Sequence, residues 1–333
     1  MNTTRTVVRT RPLAVQDLDR VIQIDAAIGG RRRPGFFEKR LQAALAEPKA
    51  FIYIACEMDG AMQGFLQARL LEGEYGTAEP VAVMDNIGVD RNSRGRGVGD
   101  AMMRELEAIL RHKHVTEIQT QADWRNRGIL AFLARTGFLL APRQILEREV
   151  GYVDTTADPD PAMAPEPEYK EKDYSDPVGD QPGALARDLV YCRSLAGDDL
   201  ETLIRIDKRV TGRERRAYYE RKVREVIDES GIRVSLVGEV QGQVVGFVMA
   251  RVDFGEFDRM EPTAVLDTLA VNPGFGHQMV GTALLAQLLG NLATLRLETV
   301  RTEVDAGHFD ILNFLMKNGF HPAQELAFSC RVN

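Results

Sequence analysis

The chain has 333 residues, 44% hydrophobic and 27% charged, enough for two domains of ordinary size and too many for one compact core. Its net charge of −7 lies within residues 151–186, where nine acidic residues meet two lysines. The remaining sequence is balanced, which argues against nucleic acid and against a cationic partner. No apolar run approaches the roughly 18 residues of a membrane span, and the start MNTTRTVVRTRP lacks the apolar core of a secretory signal. Cys56, Cys192 and Cys330 are far apart and odd in number. They fit neither a disulfide framework nor a metal knuckle, so a reducing cytoplasm is expected.

Taken in order, VVRTRPL reads as a first strand and DLDRVIQIDAAI as a helix started by Asp17 in a capping position. The run Arg31-Arg32-Arg33 follows, read either as a solvated loop face or, at Arg31, as a group for an acceptor carboxylate. Asp25 is placed to pair with Arg31 beside these early helices. A second helix contains FFEKRLQAAL, with apolar residues at i, i+4 spacing. AFIYIACEMDGAMQGFLQARL alternates as a hairpin turned by Asp59-Gly60. GEYGTAEP then leads into the apolar strand VAVMDNIGV, the turn RNSRGRGVGD and the helix AMMRELEAIL. A strand EIQTQAD, a short helix ending at Gly137-Phe138 and a last strand close the unit.

The segment from Gly151 to Gly183 holds six prolines and most of the acidic excess. Prolines at that density forbid helix and ladder pairing, and like charges repel. It reads as a linker, either strapped across a surface at Tyr152, Tyr169 and Tyr174 or free as a tether.

Beyond the linker the first pattern returns at a constant offset of 182. Asp17-Leu18 matches Asp199-Leu200, Ile24-Asp25 matches Ile206-Asp207, and Gly64-Phe65 matches Gly246-Phe247. Asp85 matches Asp267, and Gly137-Phe138 matches Gly319-Phe320. About three residues in ten are identical without a gap, which is a duplicated domain rather than a short-period solenoid. The expected organisation is a first domain over 1–150, a linker over 151–186 and a second domain over 187–333. Each domain is mixed α/β, with its ligand loop after a central strand.

Arg94-Gly95-Arg96-Gly97-Val98-Gly99 spells R-x-x-G-x-G. Glycines let backbone N–H groups converge without Cβ obstruction, and the positive end of the following helix adds to that field. Such a turn alone is more often just a turn than a phosphate site. Its setting is more specific: two helices, a hairpin, a strand ending Ile87-Gly88-Val89, the R-x-x-G-x-G turn, and Asn126 eleven residues before Gly137-Phe138. That order resembles the GNAT (GCN5-related N-acetyltransferase) superfamily in both copies. The resemblance implies two tandem domains, each a mostly antiparallel, splayed central sheet flanked by helices. It implies acetyl-CoA or another acyl-CoA as ligand, and no metal. Pyrophosphate would lie at Arg94, Gly95, Arg96, Gly97, Val98 and Gly99, and the pantetheine arm along Ile87, Gly88 and Val89. Asn126 would help hold the cofactor. The N–H near Val89 would polarise the thioester carbonyl, a role that needs no particular side chain.

The second copy departs where it matters. Arg94 becomes Gly276, Gly97 becomes Met279 and Asn126 becomes His308. A methionine side chain at the phosphate cradle predicts a folded copy with a weakened or lost acyl-CoA site.

Transfer to an amine needs a neutral nucleophile, a route for its proton and a proton for the departing thiolate. Many members of the family use a tyrosine four residues before the Gly-Phe as the acid. Here that position is Leu133. Asp85, four residues before Val89 and on its face by strand alternation, is the first candidate base, with Glu79 second and Tyr75 a substitute acid. Each has a plainer reading: Asp85 paired with a basic residue, Glu79 and Glu74 as loop charges, Tyr75 as packing. Glu74, Arg31, Asp123 and Trp124 are candidates for the acceptor pocket. The five histidines show no ligand spacing.

The expected protein is a cytoplasmic acyltransferase and an internal pseudo-dimer. Its first copy moves acetyl to a small-molecule or protein amine, and its second copy is structural or binds the acceptor. The rival is a protein that holds acyl-CoA without turnover, motivated by Leu133.

Overall fold

The computed structural model describes residues 8–71, 80–151, 189–224, 233–253 and 262–332. In the first half β1 (Val8–Pro12) precedes α1 (Leu18–Gly29) and α2 (Pro34–Ala46). The strands β2 (Phe51–Met58), β3 (Ala61–Leu71) and β4 (Val81–Val89) follow, then α3 (Val98–His112), β5 (Glu117–Asp123), α4 (Arg127–Arg135), β6 (Leu139–Leu140) and β7 (Arg143–Glu149). The second half repeats them as β8 (Tyr191–Ser194), α5 (Leu200–Thr211), α6 (Arg216–Arg224), β9 (Leu236–Val240), β10 (Gln243–Asp253) and β11 (Thr263–Val271). It ends with α7 (Val280–Thr294), β12 (Thr299–Asp305), α8 (Phe309–Lys317), β13 (His321–Pro322) and β14 (Glu325–Arg331). The linker expected over 151–186 lies, apart from Gly151, outside the described residues.

The strands form two seven-stranded sheets, each covered on both faces. On one face of the first sheet, α3 buries Val98, Met102, Leu106 and Leu110 against Ile54, Leu66 and Ile118. On the other, α1 and α2 bring Ile24, Phe36 and Phe37 onto Ala55 and Phe65. The hairpin turns sit where the sequence puts them, with Asp59 and Gly60 at φ of 56° and 79° and Gln241 and Gly242 at 52° and 74°. Positive φ at both central residues matches the twist of the flanking strands.

Two expectations about local ion pairs are corrected. Asp17 makes no side-chain cap on α1. Its carboxylate instead accepts from both Nη atoms of Arg11, at 2.6 and 2.8 Å, and from the Ala14 N–H at 2.8 Å. Those donors hold its pKa below the usual range, Arg11 foremost. Asp25 pairs with Arg33, at 3.0 and 2.5 Å, and not with Arg31. Gly30 ends α1 in the left-handed region, and the chain returns over Asp25 only at residue 33. There the guanidinium also stacks on Phe36, 5.1 Å from its centroid. Of the arginine run, Arg31 and Arg32 are exposed and Arg33 is buried. The second half repeats both pairs as Arg193–Asp199 and Asp207–Arg215.

The larger correction concerns how each unit is closed. The strand orders are β1-β2-β3-β4-β5-β14-β6 and β13-β7-β12-β11-β10-β9-β8. Each half therefore gives its last strand to the other. β14 lies antiparallel to β5, from Glu325↔Asp123 to Arg331↔Glu117, and β7 lies antiparallel to β12, from Arg143↔Asp305 to Glu149↔Thr299. The crossing occurs at Ala141-Pro142, whose neighbour β6 stays in the first sheet beside β14. Strand alternation is the same whichever sheet receives the strand, so the pattern of residues cannot reveal the exchange.

The exchange creates a buried polar seam on the pseudo-two-fold axis. Gln121 donates to Glu303 at 2.7 Å, and these positions are one repeat apart. Arg143 donates to Gln119 at 2.5 Å and pairs with Glu303 at 2.9 Å. At the equivalent place Arg301 donates to Glu325, with donor and acceptor strands interchanged. Burial pushes the Glu303 carboxyl above its usual range, opposed by Arg143 and Gln121.

Two expected outcomes follow from the seam and the exchange. A raised carboxyl favours the folded state most below the ordinary carboxylate range, and that contribution is lost as pH rises through the raised value. Glu303→Gln should therefore gain in melting temperature relative to the parent between about pH 5 and pH 8, measured by scanning calorimetry; a constant difference would contradict the shift. Residues 1–151 expressed alone lack a strand beside β5 but keep β7, the repeat equivalent of β14. They should form a strand-exchanged dimer by light scattering, and a folded monomer would refute the dependence.

Candidate active site

The splay of the central sheet is built into β4 and β5. Their parallel pairing is confined to Ala82↔Ile118 and Val83↔Gln119, although β4 runs on to Val89 and β5 to Asp123. The Thr120 hydroxyl closes the apex by donating to Met84 O at 2.8 Å. A β-bulge at Asp85 breaks the register with β3, which pairs Gln67↔Asn86 and then Ala68↔Met84. Bulges bend a strand and re-aim its side chains. The second half shows the same apex, with Thr302 donating to Leu266 O at 2.9 Å.

Past Val89 the chain turns at Asp90, whose side chain accepts from the Asn92 N–H at 2.9 Å and from Arg20 at 2.8 Å. Those contacts, the Asn92 N–H first, hold its pKa below the usual range. Gly95 and Gly97 have φ of 72° and 82°, and Gly97 is the N-cap of α3 with no side chain capping the helix. The first intrahelical bond is Ala101 N–H to Gly97 O at 3.0 Å, so the amides of Val98, Gly99 and Asp100 have no acceptor within the helix. A Cβ at Gly95 or Gly97 would meet nothing within 4 Å. Both glycines thus face open space beside a free helix N-terminus, with Arg91, Arg94 and Arg96 exposed around them. This is a cradle that fits a pyrophosphate. Gly99 has another duty: a Cβ there would come 2.8 Å from the Phe132 ring, so its bareness lets α3 approach α4. The Val98 side chain is buried, leaving its backbone for any ligand.

The second half keeps the path with different residues. Asn272 accepts from the Gly274 N–H at 3.3 Å, and Met279 takes the left-handed N-cap position at φ 60° with its side chain packed on the core. A non-glycine residue there costs about 1–2 kcal/mol.

The other predicted residues scatter. Asp85 is buried and pairs with Arg69 at 2.9 Å and Arg40 at 3.6 Å, so its plainer reading describes its contacts. Asn126 caps α4, accepting from the Ile129 N–H at 3.2 Å. Asp123 is tied to Arg125 at 2.6 Å, and Trp124 beside it is 57% exposed. Arg31 is exposed just past the end of α1. Leu133 is wholly buried. Glu74, Tyr75 and Glu79 lie outside the described residues. Sequence reasoning missed Arg40, Arg69, Gln67 and Asn86. The adjacent polar pair Asp85-Asn86 inside a strand buried on both faces was the available signal.

Between the halves lies a cavity of about 330 Å³, lined among others by Phe36, Arg40 and Arg69 and by Lys222, Arg251 and Asp267. Lys222 donates to Asp267 at 3.3 Å, repeating the Arg40–Asp85 pair.

Two splayed sheets, each with a turn leading into a helix, define a tandem acyltransferase architecture. The acetyltransferase (GNAT) family model matches residues 19–138 and again 199–320, and the chain belongs to that family. Among solved structures it is similar to a GCN5-related N-acetyltransferase from Sphaerobacter thermophilus, at 14% identity and TM-score 0.59, covering 100% of this chain and 98% of that one. It is likewise similar to a tandem GNAT protein from the clavulanic acid biosynthesis pathway, at 15% identity and TM-score 0.59, covering 98% and 99%. The glucosamine N-acetyltransferase region of a fungal multi-domain β-N-acetylglucosaminidase matches at 12% identity and TM-score 0.66, and the chain spans 38% of that protein. No curated protein matches the sequence.

Arg94→Ala combined with Gly97→Met should weaken CoA binding at least about tenfold, or ~1.4 kcal/mol, without unfolding the chain, because Met279 already occupies the equivalent backbone position. Titration calorimetry measures this, and unchanged affinity would displace the pyrophosphate from this turn.

Proposed function

We propose that the protein is an acetyl-CoA-dependent N-acyltransferase whose first half carries the reaction and whose second half is structural or contributes to acceptor binding. The observation that carries this reading is the contrast between the turns: Gly95 and Gly97 face open space without side chains, whereas the position of Gly97 is taken by Met279 in the second half. When bound, acetyl-CoA supplies an activated acyl carbonyl whose transfer to an amine releases a thiol. The amides of α3 and the arginines Arg94 and Arg96 would hold the pyrophosphate. The edge of β4 at Ile87, Gly88 and Val89, beyond its last pairing with β5, would hold the arm. An N–H of that edge would donate to the carbonyl oxygen, a contribution from fixed backbone dipoles. Asp85, set by the bulge between Arg40 and Arg69, would act on the acceptor side. Glu74, Glu79 and Tyr75 would line the same pocket, with Arg31, Asp123 and Trp124 at its margins. Asn126 would serve the cofactor chiefly by starting α4. The acceptor is a small-molecule or protein amine, and a longer acyl chain fits the same description.

Among the described residues no helix is long and apolar enough to cross a membrane, and a cytoplasmic location is part of the proposal. A second reading, acyl-CoA held without turnover, is favoured by the burial of Leu133 where many relatives place the acid.

Acetyl-CoA incubated with a broad amine panel should release thiol above background. Tight binding without release across the panel would favour the second reading. Asp85→Asn should reduce turnover about 100-fold with little change in CoA affinity, and full activity would remove Asp85 from the mechanism.

A further inference from the structure

Gln67 on β3 and Asn86 on β4 are register partners, only 3% and 4% exposed. Among the described residues, Gln67 Oε1 and both Asn86 side-chain atoms, Oδ1 and Nδ2, have no hydrogen-bond partner. Buried polar groups are nearly always paired, so three orphaned atoms on two touching strands call for an explanation. Their face is fixed. A Cβ on Gly88 would strike Phe65 and Ile24, and Asn86 and Gln67 each lie two residues from that pair, so both amides point to the side covered by α1 and α2. Their position along the strand is equally fixed. Asn86 follows the bulge, lies beyond the last β4–β5 pair at Val83 and immediately precedes Ile87.

The second half lacks this feature. Gln67 is replaced by Met249 and Asn86 by Thr268, whose hydroxyl is 3.0 Å from Tyr218 Oη. Residue 36, the counterpart of Tyr218, is phenylalanine and cannot make that bond. Unsatisfied amides therefore occur at this place in the half whose turn has glycine at the N-cap, and a satisfied hydroxyl pair occurs in the half with Met279 there. A purely structural role explains the Thr268–Tyr218 pair and leaves Gln67 and Asn86 unaccounted for.

We infer that Gln67 and Asn86 bind the acceptor of the first half, and that the acceptor is a primary amine with an oxygen on the neighbouring carbon, as in a vicinal amino alcohol or an α-amino carbonyl compound. The inference rests on the acyltransferase reading above. Its chemistry follows from the orphaned atoms: two carbonyl oxygens accept, and one NH₂ group donates. The two N–H groups of a neutral amine fill the acceptors and leave its lone pair free for attack, while the adjacent oxygen takes the donor. The acceptor would approach from the cavity between the halves, whose wall includes Arg69, two residues along β3 from Gln67.

The test uses the full chain labelled with ¹⁵N, titrated with 2-aminocyclohexanol or cyclohexylamine. The Asn86 side-chain resonances, assigned by their loss in Asn86→Thr, should move with the amino alcohol and saturate at a concentration at least about tenfold lower than with the plain amine. Phe36→Tyr with Asn86→Thr, which copies the satisfied pair of the second half, should raise the melting temperature and abolish amine saturation while leaving CoA affinity by calorimetry unchanged. Absence of resonance shifts with either amine, or equal amine affinity in parent and variant, overturns the assignment. Thiol release that proceeds at unchanged kcat/KM in the variant would also overturn it and leave acyl transfer standing. Shifts at Asn86 without thiol release from any amine would retain the amine site and sink the transfer reading.

Discussion

Everything in this molecule hangs on the reciprocal gift of a strand. β14 stands between β5 and β6, and β7 stands between β13 and β12, so neither sheet is complete without a segment from the other half. The consequence is both mechanical and electrostatic. Fourteen residues, seven in each exchanged strand, carry ladder bonds across the boundary, and the side chains at their centre must satisfy one another in a buried seam. Arg143 and Gln121 both meet Glu303 there, at 2.9 and 2.7 Å, although Gln121 Oε1 keeps no partner among the described residues. A slip of one residue would turn these charged groups toward apolar neighbours, which makes the seam a strong determinant of register.

Joining two copies in one chain freed them from symmetry. In a true two-fold pairing Gln121 would meet its own copy, and here it meets Glu303. The Arg143–Gln119 contact likewise has its counterpart in Arg301–Glu325 with the donor strand changed. The same freedom reached the two turns and the two bulges. Met279 adopts the backbone conformation of Gly97 with its side chain packed on the core, and Thr268 finds a partner in Tyr218 that Asn86 cannot find in Phe36. The scaffold is shared and the side chains at the turns and bulges differ, because backbone path depends on strand pairing and core packing rather than on a few exposed or orphaned groups.

Much of the local structure was legible beforehand. Alternation and i, i+4 spacing locate the elements, Asp59-Gly60 and Gln241-Gly242 locate the hairpin turns, and the offset of 182 exposes the duplication. The open cradle was legible too, since glycine spacing before an amphipathic helix carries its own physical meaning. What escaped was partner choice. Asp17 went to Arg11 rather than to its helix, and Asp25 to Arg33 rather than Arg31. A carboxylate offers the same chemistry to any cation within reach, and reach is decided by where the chain reverses.

By itself, then, the sequence determined the element order, the repeat, the family and the inequality of the two turns, because each is written in residue type and spacing along one line. Tertiary structure alone decided which sheet receives each last strand, which arginine meets each aspartate, and that Gln67 Oε1 and the Asn86 amide lie side by side without hydrogen-bond partners among the described residues. Those are relations between residues distant in sequence, and they arise only when sheets close and the buried polar groups either find one another or do not.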